Sequence, residues 1–435
     1  MPAMRKLLIV AALAGPALVS AQTTPAQKID IAIQAGRLLD GVSAAPRERM
    51  TVLVAGDRIA GVQDGWQAPS GARVIDLRTS TVLPGLIDSH THITGDGTGN
   101  ALENTVTMMP VDDAVRSTVY ARRTLDAGFT TIRNLGASGG ADVALKHAID
   151  AGLVVGPRIW TARVALSITG GHGDDSNGLR PDLWKAPTWQ DGVVDSVDEI
   201  RKAVRFQHKN GADLIKFTAT GGVLSIGDSG DAQQFTDEEM RAIVETAHLL
   251  GLKVAAHAHG KRGIEAAIRA GVDSIEHGTY SDDETFKLFK ERGAYLVPTI
   301  IAGKTVAEMA TIPGHFHPTV QAKAARIGPL IQDMFRRAYA AGVKIAFGTD
   351  SGVSKHGDNA REFGYMVEAG MPAGEAILSA TRNAADLIGA SDRIGSIQAG
   401  RFADVVGVAG NPLTDISELR RVTFVMKGGT VYKGQ

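Results

Sequence analysis

The chain has 435 residues, of which 44% are hydrophobic and 21% charged, and its formal net charge is -1. This composition predicts a globular protein with a large buried core and excludes a disordered chain. The balanced charge gives no reason to expect nucleic acid or an acidic membrane surface as a partner. Because there is no cysteine, disulfides and thiolate ligands are excluded, so any metal must be held by histidine, carboxylate or a modified side chain.

Residues 1–21 have the pattern of a secretory signal peptide. A short basic start ends at Arg5 and Lys6, an apolar stretch follows from Leu7 to Val19, and small residues then offer a cleavage site. The apolar stretch is too short to span a bilayer comfortably, and no later segment reaches that length. We therefore expect a periplasmic or secreted, soluble mature protein with no membrane partner.

The two ends of the mature chain show strand and turn patterns without a helical period. Apolar or alternating stretches cover Ile29 to Gly36, Met50 to Val62 and Ala72 to Leu77, and similar ones cover Asp404 to Val408 and Val422 to Tyr432. We expect the last strands to pair with the first. Residues 22–84 and 400–435 are thus predicted to form one small β-sandwich domain.

Between these ends the sequence repeats an Ala-rich amphipathic helix, a glycine and a short β-branched strand. A glycine just past a helix end adopts the left-handed conformation that terminates the helix. The repeat glycines are Gly128, Gly211, Gly251, Gly271, Gly293 and Gly342. With the strand before His92 and the strand from Arg158 to Val164, the repeat gives eight βα units over residues 85–399. That number closes a (β/α)8 TIM barrel of the α/β class, although an open doubly wound sheet would show the same alternation.

Side chains that can bind metal stand at the C-terminal ends of five predicted strands. His90 and His92 lie one residue apart, so strand alternation points both to one face. Lys216 places an ammonium in an otherwise apolar strand, where its desolvation is costly. The full set is His90, His92, Lys216, His257, His277 and Asp350. Because a TIM barrel has its active site at this end of the strands, we expect the six to converge.

The segments around these residues resemble the metal-dependent amidohydrolase superfamily, over nearly the whole mature chain. Within it they are most similar to the imidazolonepropionase-like branch, which includes Xaa-Pro dipeptidases and ochratoxinase-type amidases. The similar segments are Pro84 to His92, Ala256 to Gly260, Ile275 to Gly278, Gly348 to Ser351, and Gly395 to Asp404.

The resemblance implies two divalent metal ions, with zinc as the expected metal. His90, His92 and Asp350 would hold the more buried ion, and His257 and His277 the more exposed one. Imidazole and carboxylate ligands without thiolate suit this choice of metal. Relatives are often homo-oligomers, so an oligomer is expected here as well.

The resemblance also implies that Lys216 carries a CO2-derived carbamate that bridges the two ions. The modification converts a cation into an anion, which suits a site that holds two divalent charges. A hydroxide bridging the ions would attack the substrate carbonyl. Asp350 would accept the proton and pass it to the departing amine.

Substrate contacts are predicted in the loops that follow strands three, four and seven. His172 lies in a glycine-rich loop after strand three, and His259 shares a face with His257, either as a substrate contact or as a residue that orients a ligand. Gly221 and Gly222 could offer backbone N–H groups to a carboxylate. No Lys, Arg or Tyr occurs between residues 217 and 240, so a basic or phenolic carboxylate clamp would have to come from elsewhere.

These features predict an exported binuclear amidohydrolase that cleaves a dipeptide or an N-acyl amino acid, including ochratoxin-like amides. Hydrolysis of a cyclic amide or lactone is an alternative on the same site. Deamination is disfavoured, because mononuclear deaminases of the superfamily lack a lysine ligand such as Lys216. A non-catalytic scaffold is the alternative from another class.

Overall fold

A computed structural model describes residues 28–97, 101–182, 184–226 and 229–434. The predicted signal peptide lies outside these residues. The strands are β1 Ile31–Leu38, β2 Arg47–Ala55, β3 Arg58–Asp64, β4 Arg73–Pro84, β5 Leu86–Thr91, β6 Phe129–Asn134, β7 Arg158–Thr161, β8 Leu214–Thr218, β9 Lys253–Ala258, β10 Ser274–His277, β11 Tyr295–Val297, β12 Lys344–Ile345, β13 Val405–Val408, β14 Val422–Lys427 and β15 Thr430–Lys433.

The α-helices fall mainly between the strands from β5 onward. They are α1 Ala101–Thr107, α2 Pro110–Asp126, α3 Ala141–Asp150, α4 Val197–Lys209, α5 Asp237–Leu249, α6 Lys261–Ala270, α7 Asp283–Arg292, α8 Ile300–Met309, α9 Pro318–Ala340, α10 Arg361–Glu368, α11 Ala373–Leu378 and α12 Ala384–Leu387. No helix in the described ranges is long and apolar enough to cross a membrane.

Strands from the two chain ends share one seven-stranded sheet. Its order is β15-β14-β13-β4-β1-β2-β3. The long strand β4 pairs in parallel with β1 and, through its last residues, antiparallel with β13. One apolar cluster, which includes Ile33, Val52 and Phe424, contains residues from both ends of the chain. The predicted pairing of first and last strands is therefore present, because β4 joins them in one hydrogen-bonded sheet. The division of that sheet into the two layers of a sandwich stays a prediction.

The other eight strands are parallel and lie in two sheets. Strands β5 to β7 form one sheet and β8 to β12 the other. Backbone hydrogen bonds link one pair of sheet edges, from Leu166 N to Lys216 O at 2.8 Å and from Thr218 N to Leu166 O at 2.9 Å. Others link the opposite edges, from Ser89 N to Phe347 O at 2.9 Å and from Asp350 N to His90 O at 2.7 Å. Contacts at both junctions are what the predicted barrel requires.

The repeat glycines behave as their positions after helices predict. All six have positive φ, as at Gly128 with 94° and Gly271 with 101°. Gly271 also caps α6, donating its backbone N–H to the last carbonyls of that helix. Each glycine therefore ends a helix and releases the chain into the next strand, although the domain boundaries at residues 84 and 400 stay a prediction.

Gly85, between β4 and β5, has no room for a side chain. A Cβ there would lie 2.1 Å from Thr130 Oγ1. We expect Gly85→Ala to lower the free energy of unfolding by about 1–3 kcal/mol, the usual cost of overpacking a core. Gly61→Ala in β3 is the matched control, because its Cβ would meet no atom within 4 Å. Urea denaturation measures both variants, and equal loss of stability in the two would contradict this expectation.

Candidate metal-binding active site

One cavity of about 350 Å³ opens at the C-terminal ends of the parallel strands. All six predicted metal ligands line it, together with His172 and His259. Neither Gly221 nor Gly222 is among its lining residues. Side chains separated by as many as 260 positions in the sequence thus share one enclosed space.

His90, His92 and Asp350 form the first group of side chains in this cavity. The Nε2 atoms of His90 and His92 lie 3.4 Å and 3.3 Å from the same oxygen, Asp350 Oδ1. The common target follows from strand alternation, which points the two histidines to one face. His90 is fully buried, whereas about a third of the His92 side chain remains exposed. The group therefore reaches from the interior of the protein to the cavity.

His257, His259 and His277 form the second group. Their ring centroids lie 4.6 Å to 4.9 Å apart, and the rings of His259 and His277 are stacked. The ligand atoms of His257, His259 and His277 lie within 4.8 Å of one another, and so do those of His90, His277 and Asp350. His277 therefore stands between the two groups. The second group adds His259 to the possible metal ligands, a role that strand position alone did not assign.

Two of these side chains stand on a strained backbone. His277 has a φ of 72° and Asp350 a φ of 57°, in the left-handed region that non-glycine residues seldom adopt. Such conformations cost on the order of 1–3 kcal/mol each and persist where the surrounding structure imposes them. Because the strained residues are two candidate metal ligands, the strain belongs to the candidate site and not to a surface turn.

Glu276 and Arg133 are buried groups that support the site and that sequence reasoning missed. Glu276 Oε2 lies 2.9 Å from His90 Nδ1, and Glu276 Oε1 accepts a hydrogen bond of 2.8 Å from Arg133 Nη2. Arg133 also donates to Ser274 Oγ and to the backbone carbonyl of Ser89. The carboxylate therefore orients His90 and neutralises a buried guanidinium. A carboxylate in the apolar strand β10 was the available signal, of the same kind as Lys216.

Asp88 fixes the loop that carries Asp350. Its carboxylate accepts hydrogen bonds from Thr349 Oγ1 at 2.6 Å and from Asn359 Nδ2 at 2.7 Å, and also from the backbone N–H groups of His90 and Thr349. Burial raises the pKa of Asp88 to about 6. The segment after β12 is thereby tied to β5, which brings the two parts of the first group together.

Hydroxyl groups hold two imidazoles of the second group. His277 Nδ1 lies 2.7 Å from Thr299 Oγ1, and His259 Nδ1 lies 2.7 Å from Thr279 Oγ1. Each contact leaves Nε2 as the nitrogen that faces away from the hydroxyl. Partners of this kind orient metal-binding histidines in proteins.

Burial dominates the electrostatics of the cavity. It lowers the pKa of His90, His257 and His277 well below the usual value, and lowers the pKa of His92 and of His259 to about 3. Neutral imidazole is the form that binds metal. These side chains are therefore in the form that binds metal at neutral pH.

Lys216 lies in the wall of the same cavity and is only 3% exposed. Burial lowers its pKa, while the carboxylates of Glu276 and Asp350 oppose the shift. Burial likewise raises the pKa of Asp350, while Lys216 lowers it. Lys216 also depresses the pKa of histidines in both groups, His90 and His277 among them. It therefore faces the same cavity as histidines of both groups.

His172 lies over the second group. Its ring centroid is 4.2 Å from that of His257, and its Nδ1 contacts Ser225 Oγ. A Cβ on Gly222 would lie 2.1 Å from the His172 ring, so the glycine makes room for it. The N–H of Gly221 donates to Ala232 O at 3.0 Å and is already used. The predicted donation from Gly221 to a substrate carboxylate is therefore wrong, because the loop folds back on itself.

The donor set fits divalent metal. Among the described residues, His90 Nε2 and Asp350 Oδ1 are buried side-chain atoms without a hydrogen-bond partner. A ring nitrogen and a carboxylate oxygen that face each other at 3.4 Å without forming a hydrogen bond would both be satisfied by a cation. Imidazole nitrogen and carboxylate oxygen are the ligands zinc takes in hydrolytic sites.

A fold of parallel strands with a histidine and carboxylate cavity at their C-terminal ends defines a metal-dependent hydrolase. Residues 81–432 match the amidohydrolase family, and the chain belongs to that family. It is 37% identical over 379 residues to ochratoxinase of Aspergillus niger, covering 82% of this chain and 76% of that enzyme. The crystal structure of an Xaa-Pro dipeptidase with methionine bound in its active site has a TM-score of 0.90 and 45% identity, covering 93% of this chain and all of the other.

The crystal structure of the A. niger ochratoxinase is also similar. It has a TM-score of 0.81 and 32% identity and covers 94% of this chain and 97% of the other. The resemblance inferred from the sequence is confirmed. The chain is a hydrolytic enzyme of a metal-dependent family that acts on amide bonds, so the scaffold hypothesis is wrong.

We expect Glu276→Gln to destabilise the protein by about 3–5 kcal/mol, because it leaves the buried Arg133 without its counter-charge. His90 would also lose its carboxylate partner, so affinity for divalent metal should fall about 10- to 100-fold. Chemical denaturation and competition with a chelator measure the two effects. Glu284→Gln is the control, since the Glu284 side chain is 78% exposed and pairs with Lys261 at the surface. Unchanged stability and metal affinity in Glu276→Gln would contradict the role given to this carboxylate.

Proposed function

We propose that this chain is an exported, binuclear metal-dependent amidohydrolase that cleaves a dipeptide or an N-acyl amino acid and releases the amino acid. Ochratoxin-like amides are included, in line with the similarity to ochratoxinase. The observation that carries the proposal is the single cavity lined by His90, His92, Lys216, His257, His277 and Asp350. Its two ligand groups would hold two ions, with zinc as the expected metal.

Three broader features belong to the same proposal. The eight parallel strands close into a (β/α)8 barrel, which the hydrogen bonds at both sheet junctions support. Export rests on the signal-peptide pattern of residues 1–21. Assembly into a homo-oligomer rests on the resemblance to the family alone.

Bound metal would polarise the substrate carbonyl and lower the pKa of water for the attack. Asp350 accepts the proton of the attacking water and transfers it to the nitrogen of the leaving amine. This transfer is needed because an amine anion is a poor leaving group. Asp88 and the strained backbone at residue 350 hold the Asp350 carboxylate toward His90 and His92. His172 and His259 line the same cavity and contact the substrate.

Lys216 carries a carbamate that bridges the two ligand groups. Its strand position places the amine in the cavity wall, within electrostatic reach of histidines in both groups. An unmodified ammonium would oppose the binding of two cations, whereas a carbamate supplies an anion and two oxygen ligands.

We expect Asp350→Asn to reduce kcat/KM for amide hydrolysis by at least about 100-fold, because the amide cannot accept the proton of the attacking water. The assay uses zinc-loaded protein with a panel of N-acyl amino acids and dipeptides, with products identified by mass spectrometry. Metal content is measured in parallel, since Asp350 is also a proposed ligand. Asp113→Asn is the control, because Asp113 lines the cavity but belongs to neither ligand group.

Wild-type protein that is loaded with metal yet inert toward the whole panel would overturn the amide proposal. Release of ammonia, or opening of a ring in cyclic amides and lactones only, would instead support the alternative reactions.

The proposal assigns about two metal ions per chain to the wild type. We expect Lys216→Ala to bind fewer. Protein reconstituted with zinc and 13C-bicarbonate should show a carbamate resonance by NMR that Lys216→Ala lacks. A short carboxylic acid such as propionate should partly restore metal binding to the variant, because it can replace the missing bridging oxygens. Full metal content in Lys216→Ala would show that the lysine is not a ligand.

A further inference from the structure

One wall of the cavity is built only from aliphatic groups on α8 and α9. The cavity-lining residues of α8 are Ala302, Gly303 and Val306, and those of α9 are Ile327 and Ile331. The two helices approach closely, since a Cβ on Gly303 would lie 3.2 Å from the Cα of Gly328. The wall therefore presents hydrocarbon and no polar side chain.

The loop after β8 adds two apolar side chains to the same cavity, Val223 and Leu224. Leu224 is 39% exposed, so part of its apolar surface faces solvent at the cavity. The part of this side chain that remains in contact with solvent would become buried against an apolar ligand.

Lys323 of α9 fixes this loop. Its Nζ donates to the carbonyls of Gly222 at 2.9 Å and of Ser225 at 2.8 Å, the residues on either side of Val223 and Leu224. Lys323 stands one and two helical turns before Ile327 and Ile331, so the three side chains share one face of α9. The same helix face therefore provides the wall and holds the opposing loop.

We propose that Val223, Leu224, Ile327 and Ile331 form an apolar subsite for the acyl group of the substrate, and that Lys323 is its positioning residue. This subsite rests on the proposed amide hydrolysis. The wall would contact the acyl half of the substrate and not the amino acid half. The other half is the amino acid, whose carboxylate would lose its hydration against hydrocarbon without gaining a donor. The acyl group of an N-acyl amino acid carries no such charge, unlike the N-terminal residue of a dipeptide, and is the half that the wall stabilises.

The test compares Leu224→Ala with Leu330→Ala. Leu330 lies on α9 with a similar exposure of 40%, but it does not line the cavity. The substrates are acetyl, benzoyl and 2-naphthoyl phenylalanine, followed by the 2-naphthoyl derivatives of alanine and leucine. We expect Leu224→Ala to lower kcat/KM at least about tenfold for the naphthoyl substrates, chiefly through KM, with little effect on the acetyl substrate. Leu330→Ala should match the wild type on all of them.

Lys323→Met provides a second variant, because it removes the hydrogen bonds and keeps a long aliphatic side chain. It should raise KM for the naphthoyl substrates more than for the acetyl substrate, with metal content unchanged. A general loss of folding would instead lower kcat for every substrate and shift the unfolding temperature.

A binding measurement keeps the inference testable if no substrate is turned over. The Kd of 2-naphthoylglycine, followed by its fluorescence, should rise about tenfold in Leu224→Ala and stay unchanged in Leu330→Ala. Equal losses for all three acyl groups, a preference that follows the amino acid instead, or unaltered binding of the naphthoyl compound would each overturn the subsite. A wild-type enzyme that binds this compound but hydrolyses no amide would overturn the proposed function alone.

Discussion

The contact between Glu276 and Arg133 is the interaction on which the rest of the site depends. Both side chains are almost fully buried, at 0% and 2% exposure, and their ion pair lies beneath His90. Burying two charges costs several kcal/mol per ion, which only a well-made pair with further hydrogen bonds offsets. Ser274 and the carbonyl of Ser89 supply those bonds. The pair thereby links β5, β6 and β10 and fixes His90.

The buried charges of the cavity also lower the stability of the folded protein, and a ligand bound in the cavity would offset this loss. Desolvation keeps the imidazoles neutral, and two orphaned atoms, His90 Nε2 and Asp350 Oδ1, face each other without a hydrogen bond. The backbone at His277 and Asp350 adds conformational strain. Any ligand that binds only the folded state stabilises it. A cation at this position would satisfy the orphaned atoms, and its binding free energy would offset the strain.

The sequence predicted the parts of the site that depend on local rules. Strand alternation placed His90 and His92 on one face. Lys216, predicted at the end of a strand, is the middle residue of β8 and lines the cavity. The sequence did not reveal Glu276, because alternation puts neighbouring strand residues on opposite faces. The left-handed backbone at His277 interrupts the alternation, so Glu276 and His277 both contact His90 although they are neighbours in the sequence.

Long-range pairing limited the prediction of the fold in a similar way. The helix and glycine repeat located the parallel strands, since each unit is encoded locally. The single hydrogen-bonded sheet could not be judged locally, because it depends on whether β4 pairs with β13 as well as with β1. The role of Gly221 likewise depended on its contact with Ala232, which closes a turn of the loop that no local pattern specifies.

Charged and aliphatic residues both line the cavity, and substituting them has different effects on the stability of the protein. Substituting a buried charged group such as Glu276 leaves its partner unpaired, so the strand ends admit little variation. Substituting an aliphatic residue such as Leu224 removes only apolar contact area, at about 25 cal/mol per Å². The loop after β8 and the face of α9 can therefore change without unpairing any charge of the ligand groups. This separation lets a single arrangement of ligands be combined with different apolar walls. If the wall is the acyl subsite proposed above, the acyl group accepted can change while the reaction chemistry stays the same.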